Sequence, residues 1–410
     1  MNKEKLRKEG KNWVKDGIIT DQQLEAILNK YVKKDQSYLL ILFSVLLIGI
    51  GVLIFIFSDW AQVPHFSRLS IMIFCMLTFY IVGHYFAKRS TTQEEDSQRR
   101  SHIYGMSFII LGYIFFGATL FLILNVYQVH YLNVWPFIIW SIVGLLLYSI
   151  YENPTLFVLA LLITIFTQIY SAFAFSTYSS IAFLIFSLGY FYFVFHRSNP
   201  VFNYIFAIGL SIQLVIHTVI EAPEYYWMIF FFLLMYTLAH IIPKPHLRQS
   251  LIYISLLSIF IFKIYESFLL QESYFLEDMH IQVSFFVIIS ICLFGAFVYK
   301  RRTNPSELID LLLFLPLFYL PFSFLFVILS MFVFSVYWLV VGFQRKLEDK
   351  IIIGIMSFII STFTAYIQFA WETLNKSLFF LLGGILLFLI SFILERKRRT
   401  TEIEKGGHTK

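Results

Sequence analysis

What most constrains this chain is an almost unbroken series of apolar runs, joined by short loops rich in Lys and Arg. A hydrocarbon core ~30 Å thick takes roughly 20 helical residues per crossing. Runs of that order occur at 38–57, 69–86, 104–124, 134–150, 155–173, 181–196, 201–220, 227–242, 250–270, 282–298, 308–322, 324–343, 351–369 and 378–394. The expected fold class is all-α, a polytopic transmembrane helical bundle of about 14 spans. Composition supports this. Of 410 residues, 59% are hydrophobic and only 14% charged, against roughly 25% charged in a soluble domain. A water-soluble core cannot hide that much apolar surface, so the lipid bilayer is the expected surrounding.

The charges then orient the helices. Segments 1–37, 87–103, 151–154, 197–200, 243–249, 299–307, 344–350 and 395–410, which alternate with the outer loops, hold 28 of the 31 Lys and Arg residues. Arg68 and Lys376 fall on the other side, and Lys263 lies within a run. This positive-inside bias places both termini in the cytoplasm and explains the net charge of +6 without nucleic acid. Leu308–Val341 has no intervening loop. As one helix it would reach about 50 Å, too long for the bilayer. Basic flanks at Lys300-Arg301-Arg302 and Arg345-Lys346 require an even number of crossings, so two helices are expected, turning around Pro321. Trp60, Trp135, Trp227 and Trp371 mark outer ends, where amphipathic rings favour the headgroup layer. Asn153-Pro154, Asn199-Pro200 and Asn304-Pro305 each start a helix, Asn as cap and Pro as first helical residue.

Three segments follow: a cytoplasmic helical hairpin over 1–37, a transmembrane domain over 38–394 and a basic tail over 395–410. The hairpin is polar, with Trp13 and Val14 as apolar anchors and a break at Gly17. Thr20-Asp21-Gln22-Gln23 reads as a capping box, opening a helix with Leu24, Ile27 and Leu28 on one face. So small a segment cannot hold its own core. It is expected to dock on the membrane domain or on a cytoplasmic protein partner.

Trp13, Gly17-Ile18, Gln22 or Gln23 and Ile27 precede a first span that carries Gly49 and Gly51 and closes with Asp59-Trp60, Pro64 and Arg68. Together with Leu124-Asn125-Val126-Tyr127-Gln128, this pattern resembles a prokaryotic family, domain of unknown function 2157. Asn125 stands where that family usually has Gln. The resemblance covers roughly the first 170 residues; it implies a multi-pass plasma-membrane protein of a bacterium or archaeon and implies no reaction.

Signatures of soluble enzymes are absent: there is no phosphate-binding Gly-rich loop with Lys, no His-Glu-x-x-His, no Cys-x-x-Cys and no Gly-x-Ser-x-Gly. No cofactor or metal is expected, and no catalytic residue is assigned. Gly49 and Gly51 read as helix packing, Cys75 and Cys292 as core residues. The outer acids Glu272, Glu277 and Asp278 read as a solvated loop. Ionisable groups inside a bilayer are costly and commonly face a bundle interior or cavity. Lys263 and Glu266, three residues apart, share a helix face. They read either as an ion or substrate site or as a structural pair with Lys263 snorkelling outward. Gln213 and His217 lie one turn apart in another run, and Asp310 sits in the first turn of the eleventh, where the helix dipole favours an acid. Pro316 and Pro321 interrupt that run. Three functions compete: a transporter or flippase of a small or lipid-linked substrate, a non-catalytic scaffold or sensor using the N-terminal hairpin, and, ranked last, a lipid-modifying membrane enzyme.

Reporter fusions provide the topological check. Fusions after residues 60 and 376 should read outside, and those after 95 and 347 inside. An external residue 347 contradicts the two-element reading of Leu308–Val341.

Overall fold

The computed structural model describes residues 9–10, 12–14, 16–30, 43–45, 47–51, 54, 64–89, 95–126, 134–197, 199–222, 224–271, 282–303, 305–320, 322–370 and six isolated positions between 377 and 388. Among the described residues, eight helices are long and apolar enough to cross a membrane, and three more apolar helices are shorter. The outcome is an all-helical membrane protein. Most of the expected runs 38–57 and 378–394, the tail 395–410, and Asp59, Trp60, Tyr127, Gln128, Glu272, Glu277 and Asp278 lie outside the described residues. The chain forms two compact units, Met1–Phe157 and Val158–Lys410, a division that hydropathy did not reveal.

In the first unit, α1 (Asp21–Lys30) starts as its sequence directs. The Gln23 amide donates to Thr20 Oγ1 at 3.3 Å, and the Thr20 amide to Gln23 Oε1 at 3.0 Å. Gly17 has φ +71, a left-handed conformation that glycine adopts without cost. Gly10 gives room to the buried Leu24 side chain. The expected hairpin over 1–37 is described only in part.

The next helices are α2 (His65–Arg89), α3 (Glu95–Val126) and α4 (Trp135–Tyr151). Pro64 precedes α2, and its carbonyl accepts the Arg68 amide at 3.1 Å. Gly83 and Gly105 let α2 and α3 touch backbone to backbone; a Cβ on Gly105 would lie 2.6 Å from the Ala87 amide nitrogen. Close packing holds for Gly49, whose Cβ would meet Ile114, but Gly51 is exposed with no described atom within 4 Å of that position. Helices α3 and α4 are cross-braced. Tyr113 Oη donates to the Trp140 carbonyl and Trp140 Nε1 to the Tyr113 carbonyl, each at 2.9 Å. The Trp140 indole lies directly against Gly117.

The second unit contains most of α5 (Pro154–Phe175), then α6 (Ser180–His196), α7 (Pro200–Glu221), α8 (Trp227–Ile241), α9 (Pro245–Leu269) and α10 (Val283–Thr303). Asn153 and Asn199 cap α5 and α7 through their side-chain oxygens, as the Asn-Pro pairs suggested. Residues Ile185–Tyr190 of α6 form a π-helical stretch. Helices α11 (Ser323–Arg345) and α12 (Glu348–Ala370) complete the described part. Helix α9 is central, packing against α7, α8, α11 and α12.

Burial follows lipid rather than water. On α12 the inward face is Ser357, Ser361, Thr364 and Gln368, while Ile352, Met356, Ile360 and Phe363 point outward. The core of the unit is largely aromatic, including Tyr226, Phe232, Phe285, Phe314, Phe318 and Trp338.

The eleventh run departs from expectation. Leu308–Val341 is divided, since Phe322 turns with φ +56 before α11, and Pro321 itself lies outside the described residues. The first part, however, is not an α-helix. It is a 3₁₀ helix over Pro305–Phe314, broken at Leu315-Pro316 and followed by one short 3₁₀ turn, Leu317–Tyr319. Pro316 has no amide to donate and disfavours α conformation in Leu315. At ~2.0 Å per residue, segment 305–320 can still reach about 30 Å, which so short an α-helix could not.

Gly117→Ala should test the α3–α4 brace. Its methyl group would enter the Trp140 ring, so thermal unfolding in micelles should show a loss of about 1–3 kcal/mol. Gly51→Ala should leave the midpoint unchanged; equal effects at both positions would contradict the packing described.

Candidate functional site

The 3₁₀ helix carries Asp310 into the aromatic core, where it is 1% exposed. Three donors from three helices converge on it. Lys300 Nζ on α10 lies 3.0 Å from Oδ2, Tyr236 Oη on α8 donates to Oδ2 at 2.8 Å, and Trp338 Nε1 on α11 donates to Oδ1 at 2.8 Å. Lys300, likewise buried, also bonds Tyr236 Oη and sits 4.6 Å from the centre of that ring. Charge in a low-dielectric interior is tolerated when paired and hydrogen-bonded. Here both carboxylate oxygens are satisfied.

This cluster differs from the sequence expectation. Asp310 was assigned to a helix dipole and Lys300 to an orienting loop. The available signal was their ten-residue spacing around Asn304-Pro305, which brings them together once the chain turns back.

Asp310 and Trp338 form part of the wall of a pocket of about 380 Å3. Its lining collects the C-terminal ends of α8 and α10 and the N-terminal ends of α9 and α12, through His240, Tyr299, Arg248 and Lys350. Arg248 is exposed. Lys350 Nζ lies 5.3 Å from the centre of the Trp338 ring, a cation–π arrangement. Gln249 Nε2 donates to Tyr253 Oη at 3.1 Å, and Tyr299 Oη to the His240 carbonyl at 3.3 Å. His240 Nδ1 lies 2.8 Å from the Tyr236 carbonyl, so it carries the proton that is donated.

Just past the C-terminal end of the same 3₁₀ helix, at Leu315, lies the second ion pair. Lys263 Nζ is 2.7 Å from Glu266 Oε2 and donates to the Leu315 carbonyl at 3.0 Å. Both side chains are fully buried, so Lys263 does not snorkel outward; it covers a carbonyl at the 3₁₀ break. Glu266 Oε1 has no hydrogen-bond partner among the described residues, and Gln368, bonded to the neighbouring Ser267 carbonyl, likewise leaves Oε1 unpartnered. Asp310 and Leu315 are five residues apart, ~10 Å along a 3₁₀ axis.

Gln213 and His217 do not line the pocket. Gln213 is fully buried with neither amide atom partnered among the described residues, and His217 stands against the rings of Tyr178 and Phe231, at 4.8 and 5.1 Å. No group of three or more His, Cys, Asp or Glu able to hold a metal occurs among the described residues.

Comparison with known proteins bears on the other unit. Residues 11–157 match the family described as predicted membrane protein DUF2157. This is the family indicated by the motifs from Trp13 to Arg68. The DUF2157 match ends at the residue where the first compact unit ends, so the polar clusters of the second unit lie beyond it. No curated protein and no solved structure matches the chain.

A double-mutant cycle on Lys300→Met and Asp310→Asn tests the hub. Each single change should cost about 3–5 kcal/mol by orphaning a buried charge, and the double variant should recover part of the loss. Losses that simply add would contradict the pairing.

Proposed function

We propose that the second unit is a carrier that moves a small charged or lipid-linked solute across a plasma membrane. The observation behind this reading is the pocket that reaches Asp310, with the Lys263–Glu266 pair ~10 Å further along the same non-α element. Charged groups at successive depths, beside a broken helix, supply the stations that a polar solute needs in a bilayer. Arg248 and Lys350 line the pocket, and basic residues crowd the neighbouring segments 299–307 and 344–350, so the positive-inside bias supports a cytoplasmic opening. Lys263 and Glu266 are the proposed inner station. The exposed Asp21, Gln22, Gln23 and Glu25 of α1 are the surface where a cytoplasmic protein would engage.

Purified full-length protein in sealed liposomes provides the test. Inorganic phosphate, small carboxylates and a fluorescent phospholipid would be offered as probes. At least one should cross faster than in protein-free liposomes. Lys263→Met combined with Glu266→Gln should still fold cooperatively, with a midpoint lowered by loss of the donor to the Leu315 carbonyl, yet lose this acceleration. Equal rates with and without protein for every probe would overturn the carrier reading. Full activity in the folded double variant would remove the pair from the path.

A further inference from the structure

The geometry points to the inner pocket as a binding site for a phosphate-bearing anion, held by Arg248 and Lys350. The inference rests on the carrier reading only in using the same pocket, and it names the chemistry of the ligand. Charge decides the sign. Asp310 is the acid in the wall, and its charge is already matched by Lys300 at 3.0 Å with both oxygens accepting hydrogen bonds. Asp310 is the one acid among the described lining residues, so a cation entering would meet the two basic side chains Arg248 and Lys350. Glu348 and Asp349 precede Lys350 but are exposed and do not line the pocket. An anion meets the guanidinium of Arg248, whose planar fork suits phosphate oxygens, and the ammonium of Lys350, held over the Trp338 ring.

The neutral lining favours the same class. Gln249 and Tyr253 add an amide and a hydroxyl to the lining, while the Tyr299 hydroxyl donates to the His240 carbonyl. A volume of about 380 Å3 is small for a ligand cavity and suits a phosphate group with a short polyol rather than a long chain. Arg248 and Lys350 stand in the first turns of α9 and α12, and basic helix ends of this kind favour the headgroup layer. One chemistry thus has two sources, a soluble phosphate compound or the headgroup of an anionic phospholipid.

Both are tested on the purified full-length protein. Inorganic phosphate and glycerol phosphate would be titrated calorimetrically into micelles, and retained phospholipid would be read by native mass spectrometry after preparation from membranes containing phosphatidylglycerol. The comparison is wild type against Arg248→Gln and Lys350→Gln, with thermal midpoints confirming that both variants fold. Saturable binding of either soluble probe, weakened about tenfold or more in each variant, supports the site with a soluble phosphate compound as ligand. Retained phosphatidylglycerol lost from both variants, without soluble binding, supports it with a lipid headgroup as ligand. No binding of any probe, or binding unchanged in folded variants, overturns the proposal. Binding is read without transport, so that failure leaves the carrier reading standing. Binding without movement of any probe would sink the carrier reading alone.

Discussion

The second unit depends on one buried carboxylate gripped by donors from three helices. Asp310 holds Tyr236, Lys300 and Trp338 at once and so ties α8, α10 and α11 to the 3₁₀ helix. Removing any of these contacts exposes a polar group to a low-dielectric interior, where a lone charge is far more costly than in water. The cluster therefore fixes the position of the only described non-α element long enough to approach the bilayer thickness. It also shapes the floor of the pocket.

The second ion pair answers a different demand of the same environment. Backbone that is neither α-helical nor in a closed sheet survives within a membrane only where its polar groups are covered by protein. The break at Leu315-Pro316 leaves the Leu315 carbonyl turned toward Lys263, which donates to it and to Glu266 together. One carbonyl at the break is thus covered by a side chain from α9. The first unit is assembled by other means. Gly83 and Gly105 bring α2 and α3 to backbone contact, and Tyr113 and Trp140 exchange hydrogen bonds between α3 and α4. That is the part matching DUF2157; the proposed chemistry lies in the other.

Hydropathy and charge made much of this legible. The capping box at Thr20-Gln23, the caps at Asn153 and Asn199, and the division of Leu308–Val341 each follow from local rules that tertiary packing did not override. The 3₁₀ state was not legible, because apolar content is the same for either helix and the cause lies in Pro316 and in contacts from distant helices. Lys300 was hidden by its company, since a lysine beside Arg301 and Arg302 at a helix end satisfies the orienting rule without any inward role. Lys263 and Glu266 were found by spacing, but their partner, a main-chain carbonyl 52 residues away, has no sequence mark. Gln213 and His217 share a face as expected, yet that face does not meet the pocket.

The proposed carrier requires that a solute reach the Lys263–Glu266 pair, and Ser267 reports on that most directly. Ser267 is fully buried beside Glu266. Ser267→Cys, in a chain with Cys75 and Cys292 replaced by Ala, would be treated in sealed liposomes with a membrane-impermeant thiol reagent. The account predicts slow labelling that changes severalfold when a transported solute is supplied. A cysteine that stays unlabelled with and without every solute found to bind would contradict it.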